Sequence, residues 1–175
     1  MDARMKGFGM ADEDKGGPLS GVRVLAIENF LSGPYGSMML ADFGAEVVKV
    51  EPREGDGYRR ATPNYHTKDG RMSYSFLRVN RNKRSVVLDL KTEEGREDFL
   101  ALADEADVVW ENLRPGAMER LGLGWEDLKA RNPRLVYATI SGFGHGDVLP
   151  AGPYMSLPAF DIVAQAMSGA MLRIG

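Results

Sequence analysis

The sequence predicts an α/β protein built on a mainly parallel sheet flanked by helices. Short apolar runs rich in β-branched residues recur at Val22–Ile27, Val47–Val50 and Leu135–Ile140, as expected of strands covered on both faces. Between them lie stretches with helical spacing or helix caps, so strands and helices alternate throughout. No internal repeat is present.

In chain order, Met1 to Gly17 has scattered charge, several glycines and no apolar period, and reads as a disordered tail. Val22 to Ile27 is the first strand. A glycine-bearing turn follows, Leu31 to Gly36, and Pro34 suits a first helical position because its missing N–H would be unpaired there. The helix runs through Met38 to Ala41 and ends at Gly44, where a left-handed residue is needed. Val47, Val48 and Val50 make the second strand. Free amides and the helix dipole at such a turn favour anions, although a plain packing unit has the same pattern.

Pro52 to Gly70 is a long polar stretch that reads as a loop, either a cover over substrate or a subunit contact. Ser73 to Val79 is a short docked helix, and Ser85 to Leu90 the next strand. Thr92, with Glu93 and Glu94 behind it, caps a helix whose apolar stripe is Phe99, Leu100, Leu102 and Ala103. Asp107 to Asn112 is a strand with a polar end. Pro115 to Leu121 and Trp125 to Arg131 are short helices, the second ended at Asn132 because Pro133 follows. Leu135 to Ile140 is a strand and Ser141 to Gly146 a loop. From Pro158 a helix sets Phe160, Val163, Ala164 and Met167 at helical spacing. The sequence reaches Gly175 directly after this apolar stretch, which reads as a truncated domain.

Composition narrows the chemistry. Charged residues at 27% and hydrophobic ones at 43% suit a soluble, cytoplasmic globular protein of one domain. A net charge of −3 gives no reason to expect nucleic-acid binding, and no apolar run is long enough to span a bilayer. With no cysteine, thiol chemistry and disulfides are excluded. His66 and His145 have no clustered carboxylates, so no metal is expected.

Three glycine patterns, Gly33-Pro34-Tyr35-Gly36, Gly122-x-Gly124 and Gly142-x-Gly144-x-Gly146, lack the dinucleotide fingerprint. The basic residues are more informative. Arg78, Arg81, Lys83 and Arg84 precede one strand and Lys91 closes it, while Arg114 and Arg120 follow the next. Cations gathered on one edge would suit a polyphosphate. Asp161 stands inside an apolar phrase with Gln165 one turn on. It reads as a nucleophile or base, or, by preference, as an N-terminal helix carboxylate.

Together these residues resemble family III CoA-transferases, the group that includes formyl-CoA transferase, CaiB/BaiF proteins and α-methylacyl-CoA racemase. The matching phrases are PLSGVRVLAIENFLSGPYGSMMLADFGAEVVKVE, GDGYR, NRNKRSVVLDLKTEEGREDFLALADEADVVWENLRPGAMERLGL, NPRLVYATISGFGHGD and PAFDIVAQAMSG, running from Pro18 to Gly169. The resemblance implies a Rossmann-like large domain, of which residues 18–175 are the N-terminal part, in an interlaced homodimer. It implies that CoA moves from an acyl-CoA thioester to a carboxylic acid through an aspartyl-CoA intermediate, with no metal. By resemblance the CoA site includes Leu31 and Ser32; Leu88, Asp89, Leu90 and Lys91; Asn112, Leu113 and Arg114; Arg120; and Phe160.

Three departures qualify the match. Pro52 replaces an arginine near CoA, with Arg53 the candidate to take its place. Phe160 stands where racemases carry a catalytic histidine, which argues for transfer over racemisation. The family's nucleophilic aspartate falls roughly thirty residues beyond Asp161, past Gly175, so no catalytic residue is assigned within these residues. A CoA-binding or interaction module without catalysis is the alternative, and a racemase or isomerase on the same scaffold a weaker one.

Overall fold

The computed structural model describes residues 16–68, 70–145 and 152–174. Five parallel strands make the central sheet: β1 (Arg23–Ile27), β2 (Glu46–Glu51), β5 (Lys83–Val87), β6 (Val108–Glu111) and β7 (Val136–Thr139), in the spatial order β5-β2-β1-β6-β7. The helices are α1 (Ser32–Asp42), α2 (Tyr74–Asn80), α3 (Glu93–Glu105), α4 (Ala117–Arg120), α5 (Trp125–Arg131), α6 (Asp161–Met167) and α7 (Ala170–Ile174). From β1 the chain builds outward to β2 and β5, then crosses to the other side of β1 to add β6 and β7. The strand order therefore reverses between β1 and β6, where open α/β sheets place their ligand crevice.

Strand alternation distributes the core over both faces. Leu25 and Ile27, with Val48 and Val50, meet Phe99 and Leu102 of α3, Met118 of α4 and Leu128 of α5. Val24, Ala26 and Val47 meet Ala41 of α1 on the opposite face. There Gly33 and Gly36 let α1 come close to β6. A Cβ on Gly33 would lie 2.6 Å from the Asn112 side chain, and Gly36 lies against the Trp110 ring. Trp110 Nε1 donates to the Gly33 carbonyl at 3.0 Å, fixing the first turn of α1 on the sheet.

Several boundaries differ from the sequence expectation. The polar stretch after Pro52 is not one loop: it holds a 3-10 turn (Gly57–Arg60) and an antiparallel hairpin of β3 (Asn64–Thr67) with β4 (Gly70–Ser73). β5 starts two residues earlier than expected, because an edge strand tolerates Lys83 and Arg84. The expected single helix after Pro158 is α6 and α7, broken at Gly169 with φ 77°. Neither has a buried residue, and Ile162, Met167 and Leu172 are exposed. The expected Thr92 cap holds, its Oγ1 accepting from the Gly95 amide, and Ser73 caps α2 in the same way, its Oγ accepting from the Phe76 amide. Most of the expected N-terminal tail, the end of the Ser141 to Gly146 loop and Gly175 lie outside the described residues. Among the described residues no helix is long and apolar enough to cross a membrane.

Candidate functional site

The residues named from the sequence gather along the C-terminal edge of the sheet. Leu31 caps α1 and Ser32 opens it, both exposed beyond β1. Leu88 to Lys91 follow β5, Asn112 to Arg114 follow β6, and Arg120 ends α4. The strands β5 and β6 are three spacings apart in the sheet, about 14 Å, so the two groups could be spanned only by an elongated ligand. Phe160 precedes α6 with its side chain 65% exposed. Gly142, after β7, leaves no room for a side chain against Ala159, which sets that segment beside the same edge.

One side chain closes the crevice at the strand reversal. Asn112 Oδ1 accepts from the Asn29 amide at 2.8 Å, and its Nδ2 donates to the Asn29 carbonyl at 2.9 Å and to Ser32 Oγ at 3.3 Å. An asparagine side chain has the donor and acceptor to satisfy both backbone groups of one residue at once. It thus joins the end of β6 to the turn leaving β1.

Beside this crevice lies a charged network that sequence reasoning missed. Glu28, Lys49, Glu51 and Asp56 are all buried to within 2% of full exclusion. The Glu28 carboxylate accepts from Ser37 Oγ and Lys83 Nζ, each at 2.8 Å. Lys49 Nζ donates to the Glu28 carbonyl at 2.9 Å and lies 3.0 Å from Asp56 Oδ2, an ion-pair contact, since Oδ2 has no hydrogen-bond partner. Glu51 accepts from Arg59 Nε at 2.7 Å, Ser85 Oγ at 2.6 Å and the Asp56 amide at 2.9 Å. Three carboxylates face three cations, the condition under which buried charge is tolerated. Alternation in the strands carried the signal: Lys49 and Glu51 share a face of β2 that is otherwise apolar.

These surroundings shift the titrating groups. Burial alone would raise Glu51, but the Arg59, Ser85 and Asp56 donors outweigh it and hold the carboxyl at about 2. Burial pushes the Lys83 ammonium down to about 8, against the pull of Glu28. Burial also raises Glu111 above its ordinary value, opposed by hydrogen bonds from Thr139 and from the Leu113 amide, the latter at 2.6 Å.

The expected basic cluster divides. Arg81 pairs with Asp42, Arg84 with Glu46 and Lys83 with Glu28. Arg81, Lys83 and Arg84 lie at the start of β5, the edge opposite Lys91 and Arg114, and serve structure. Lys91, Arg114 and Arg120 form no ion pair among the described residues and stand exposed at the C-terminal edge. Pro34 is the third residue of α1 rather than its first, so Ser32 and Gly33 carry the first-turn amides. Arg53 is exposed and, with Pro52 and Arg59, lines an open cleft beyond β2. Asp161 is the first residue of α6, and its carboxylate accepts from the side chain of Gln165 one turn on. No group of three or more His, Asp or Glu suited to a metal ion occurs among the described residues.

Comparison with known proteins meets this geometry. Residues 19–175 match the model of CoA-transferase family III. The chain is 44% identical over 159 residues to an acetyl-CoA:oxalate CoA-transferase of Acetobacter aceti, covering 91% of this chain and 39% of that one. It is 45% identical over 160 residues to a succinyl-CoA:mesaconate CoA-transferase of Haloarcula hispanica, covering 89% and 39%. A crystal structure of a CaiB/BaiF family protein from Brucella suis superposes with a TM-score of 0.83 at 41% identity, over 90% of this chain and 40% of that one. The chain thus spans about two-fifths of the length of these relatives. With its reversed-order parallel sheet and its match over all but the first residues, the chain belongs to CoA-transferase family III.

Proposed function

We propose that the protein to which these residues belong transfers CoA from an acyl-CoA thioester to a carboxylic acid, and that residues 18–175 supply most of the CoA site. The observation that carries this is the edge itself: Lys91, Arg114 and Arg120 are exposed there and form no ion pair among the described residues, beside the Asn112-closed crevice, while neighbouring cations are engaged elsewhere. Cations at that edge suit phosphates, with Arg giving forked contacts and Lys a point charge. Leu31, Ser32, Leu88, Asp89, Leu90, Asn112 and Leu113 form the wall along which the cofactor moiety lies, and Phe160 faces the thioester end.

In the transfer, an aspartate carboxylate attacks the thioester carbonyl and expels CoA thiolate, leaving a mixed anhydride. The thiolate then attacks the aspartyl carbonyl, releasing the donor acid and forming an aspartyl-CoA thioester. An acceptor carboxylate reverses the sequence. By resemblance the nucleophile lies beyond Gly175, so residues 1–175 bind CoA without turnover. The exposed apolar side chains of α6 and α7 support a homodimeric whole in which other segments cover them.

Calorimetric titration of this chain with CoA tests the binding site. Micromolar or tighter binding that weakens with salt and falls in a Lys91→Glu, Arg114→Glu double variant is expected. Absence of binding, or turnover by residues 1–175 with acyl-CoA and an acid, overturns the corresponding half of the proposal.

A further inference from the structure

Three consecutive residues carry the chain from β1 into α1, and each is held by a side chain from a different element. The Glu28 carbonyl accepts from Lys49 of β2 at 2.9 Å, Asn29 is bridged at both backbone groups by Asn112, and the Phe30 amide donates to Asp56 Oδ1 at 3.1 Å. Phe30 has φ 62°, a left-handed conformation that a bulky residue rarely adopts unless its surroundings impose it. Those surroundings are the GDGYR turn. Gly57 leaves space for the Phe30 ring, since a Cβ there would lie 2.8 Å from Phe30 Cζ, and Tyr58 meets the ring edge-on at 5.5 Å. Asp56 is fully buried, and Oδ1 also accepts from the Tyr58 amide at 2.9 Å. One carboxylate oxygen therefore fixes both the turn and the strained residue, while Lys49 lies against the other.

The next residues are Leu31 and Ser32. We infer that Asp56 is a positioning residue for CoA binding: by imposing the left-handed conformation on Phe30 it sets Leu31 and Ser32 against the ligand. The inference rests on the proposal that Leu31 and Ser32 face CoA. Asp56 touches no part of that ligand; it acts through the backbone of Phe30. The required chemistry is one oxygen accepting two amides, which an asparagine keeps and an alanine loses.

The test compares CoA affinity with fold in the full chain. Asp56→Ala should weaken CoA binding about tenfold, the equivalent of one lost hydrogen bond, and shift the amide resonances of Leu31 and Ser32. Asp56→Asn keeps both acceptor contacts but turns its amide NH2 towards the Lys49 ammonium, so it should lower stability while the folded protein's CoA affinity stays within about threefold of the parent. Adding Phe30→Gly to Asp56→Ala should recover most of the affinity, since glycine enters the left-handed region unaided. A purely structural Asp56 lowers the melting temperature but leaves the folded protein's affinity unchanged and is not rescued by glycine. Either result overturns the inference. Should Asp56→Ala not fold, Gly57→Ala presses on the Phe30 ring from its other contact and must weaken CoA binding for the inference to stand. Should the parent chain not bind CoA, the CoA assignment fails, and the Leu31 and Ser32 resonances in Asp56→Ala still decide the positioning role.

Discussion

The two flanks of β1 solve one problem in opposite ways. On one side β2 ends in Glu51, 2% exposed; on the other β6 ends in Glu111, 4% exposed. Both are the last residue of a parallel strand, and both are almost fully buried. Glu51 meets a guanidinium, a hydroxyl and an amide and is held at about 2. Glu111 meets the Leu113 amide and Thr139, with no Lys or Arg ion pair among the described residues, and burial leaves it above its ordinary value. Burial thus sets the cost of a charge, and the partners decide whether the carboxyl ends below or above its ordinary value. The β2 flank is a framework of balanced charge; the β6 flank is closed by neutral hydrogen bonds centred on Asn112.

Breaking the charged flank should have the largest effect. Lys49→Met leaves Asp56 and Glu28 buried without their shared cation and should lower unfolding free energy by about 3–5 kcal/mol, measured by urea denaturation. The same flank should fail in acid. Because the folded-state value of Glu51 lies below its unfolded value of 4.5, its stabilisation is complete above pH 4.5 and is lost as pH falls towards about 2. That loss should be on the order of 3 kcal/mol between pH 6 and 2, and much smaller in Arg59→Leu. A parallel acid slope in the two proteins would show that Arg59 does not set the Glu51 equilibrium.

The neutral flank should respond less. Asn112→Ala strips both backbone partners from Asn29, and partial access of water to that site limits the loss to about 1–3 kcal/mol. Smallest, and of reversed sign, is Glu111→Gln. The folded state favours the protonated carboxyl, so Glu111 becomes a burden as pH rises above its unfolded value of 4.5. The amide variant should match or exceed the parent in stability at pH 7, with the gain vanishing near pH 4. A clear loss of stability at pH 7 would place Glu111 among the paired charges and dissolve the contrast.

Much of the scaffold was legible because its signals are local. The β-branched run ending at Ile27, the left-handed Gly44 with φ 102°, the Thr92 cap and the break at Asn132 each depend on neighbouring residues. The failures share a different cause. Arg81, Lys83 and Arg84 looked like one basic edge because their partners Asp42, Glu28 and Glu46 lie some 38–55 positions away, and only the fold shows them neutralised. The hairpin inside the polar stretch had no apolar alternation to announce it. The placement of Leu31, Ser32, Lys91, Asn112, Arg114 and Arg120 on one edge follows from strand order, yet their assignment to CoA came from family motifs rather than from residue chemistry. The Phe30 kink had no local mark at all, since its left-handed backbone is imposed by a turn reached through β2.

The close seating of α1 on β6 also gives the molecule an optical reporter. Trp110 and Trp125 are its two tryptophans. Trp125 sits beneath the Lys129 ammonium on α5, 5.3 Å from its ring centroid, whereas Trp110 is bonded to Gly33 and covered by Gly36. Replacing Trp125 with phenylalanine would leave a single indole whose emission and quenching report the seating of the first turn of α1. Its wavelength would register any movement of Leu31 and Ser32 in real time, without a label and without waiting for a reaction.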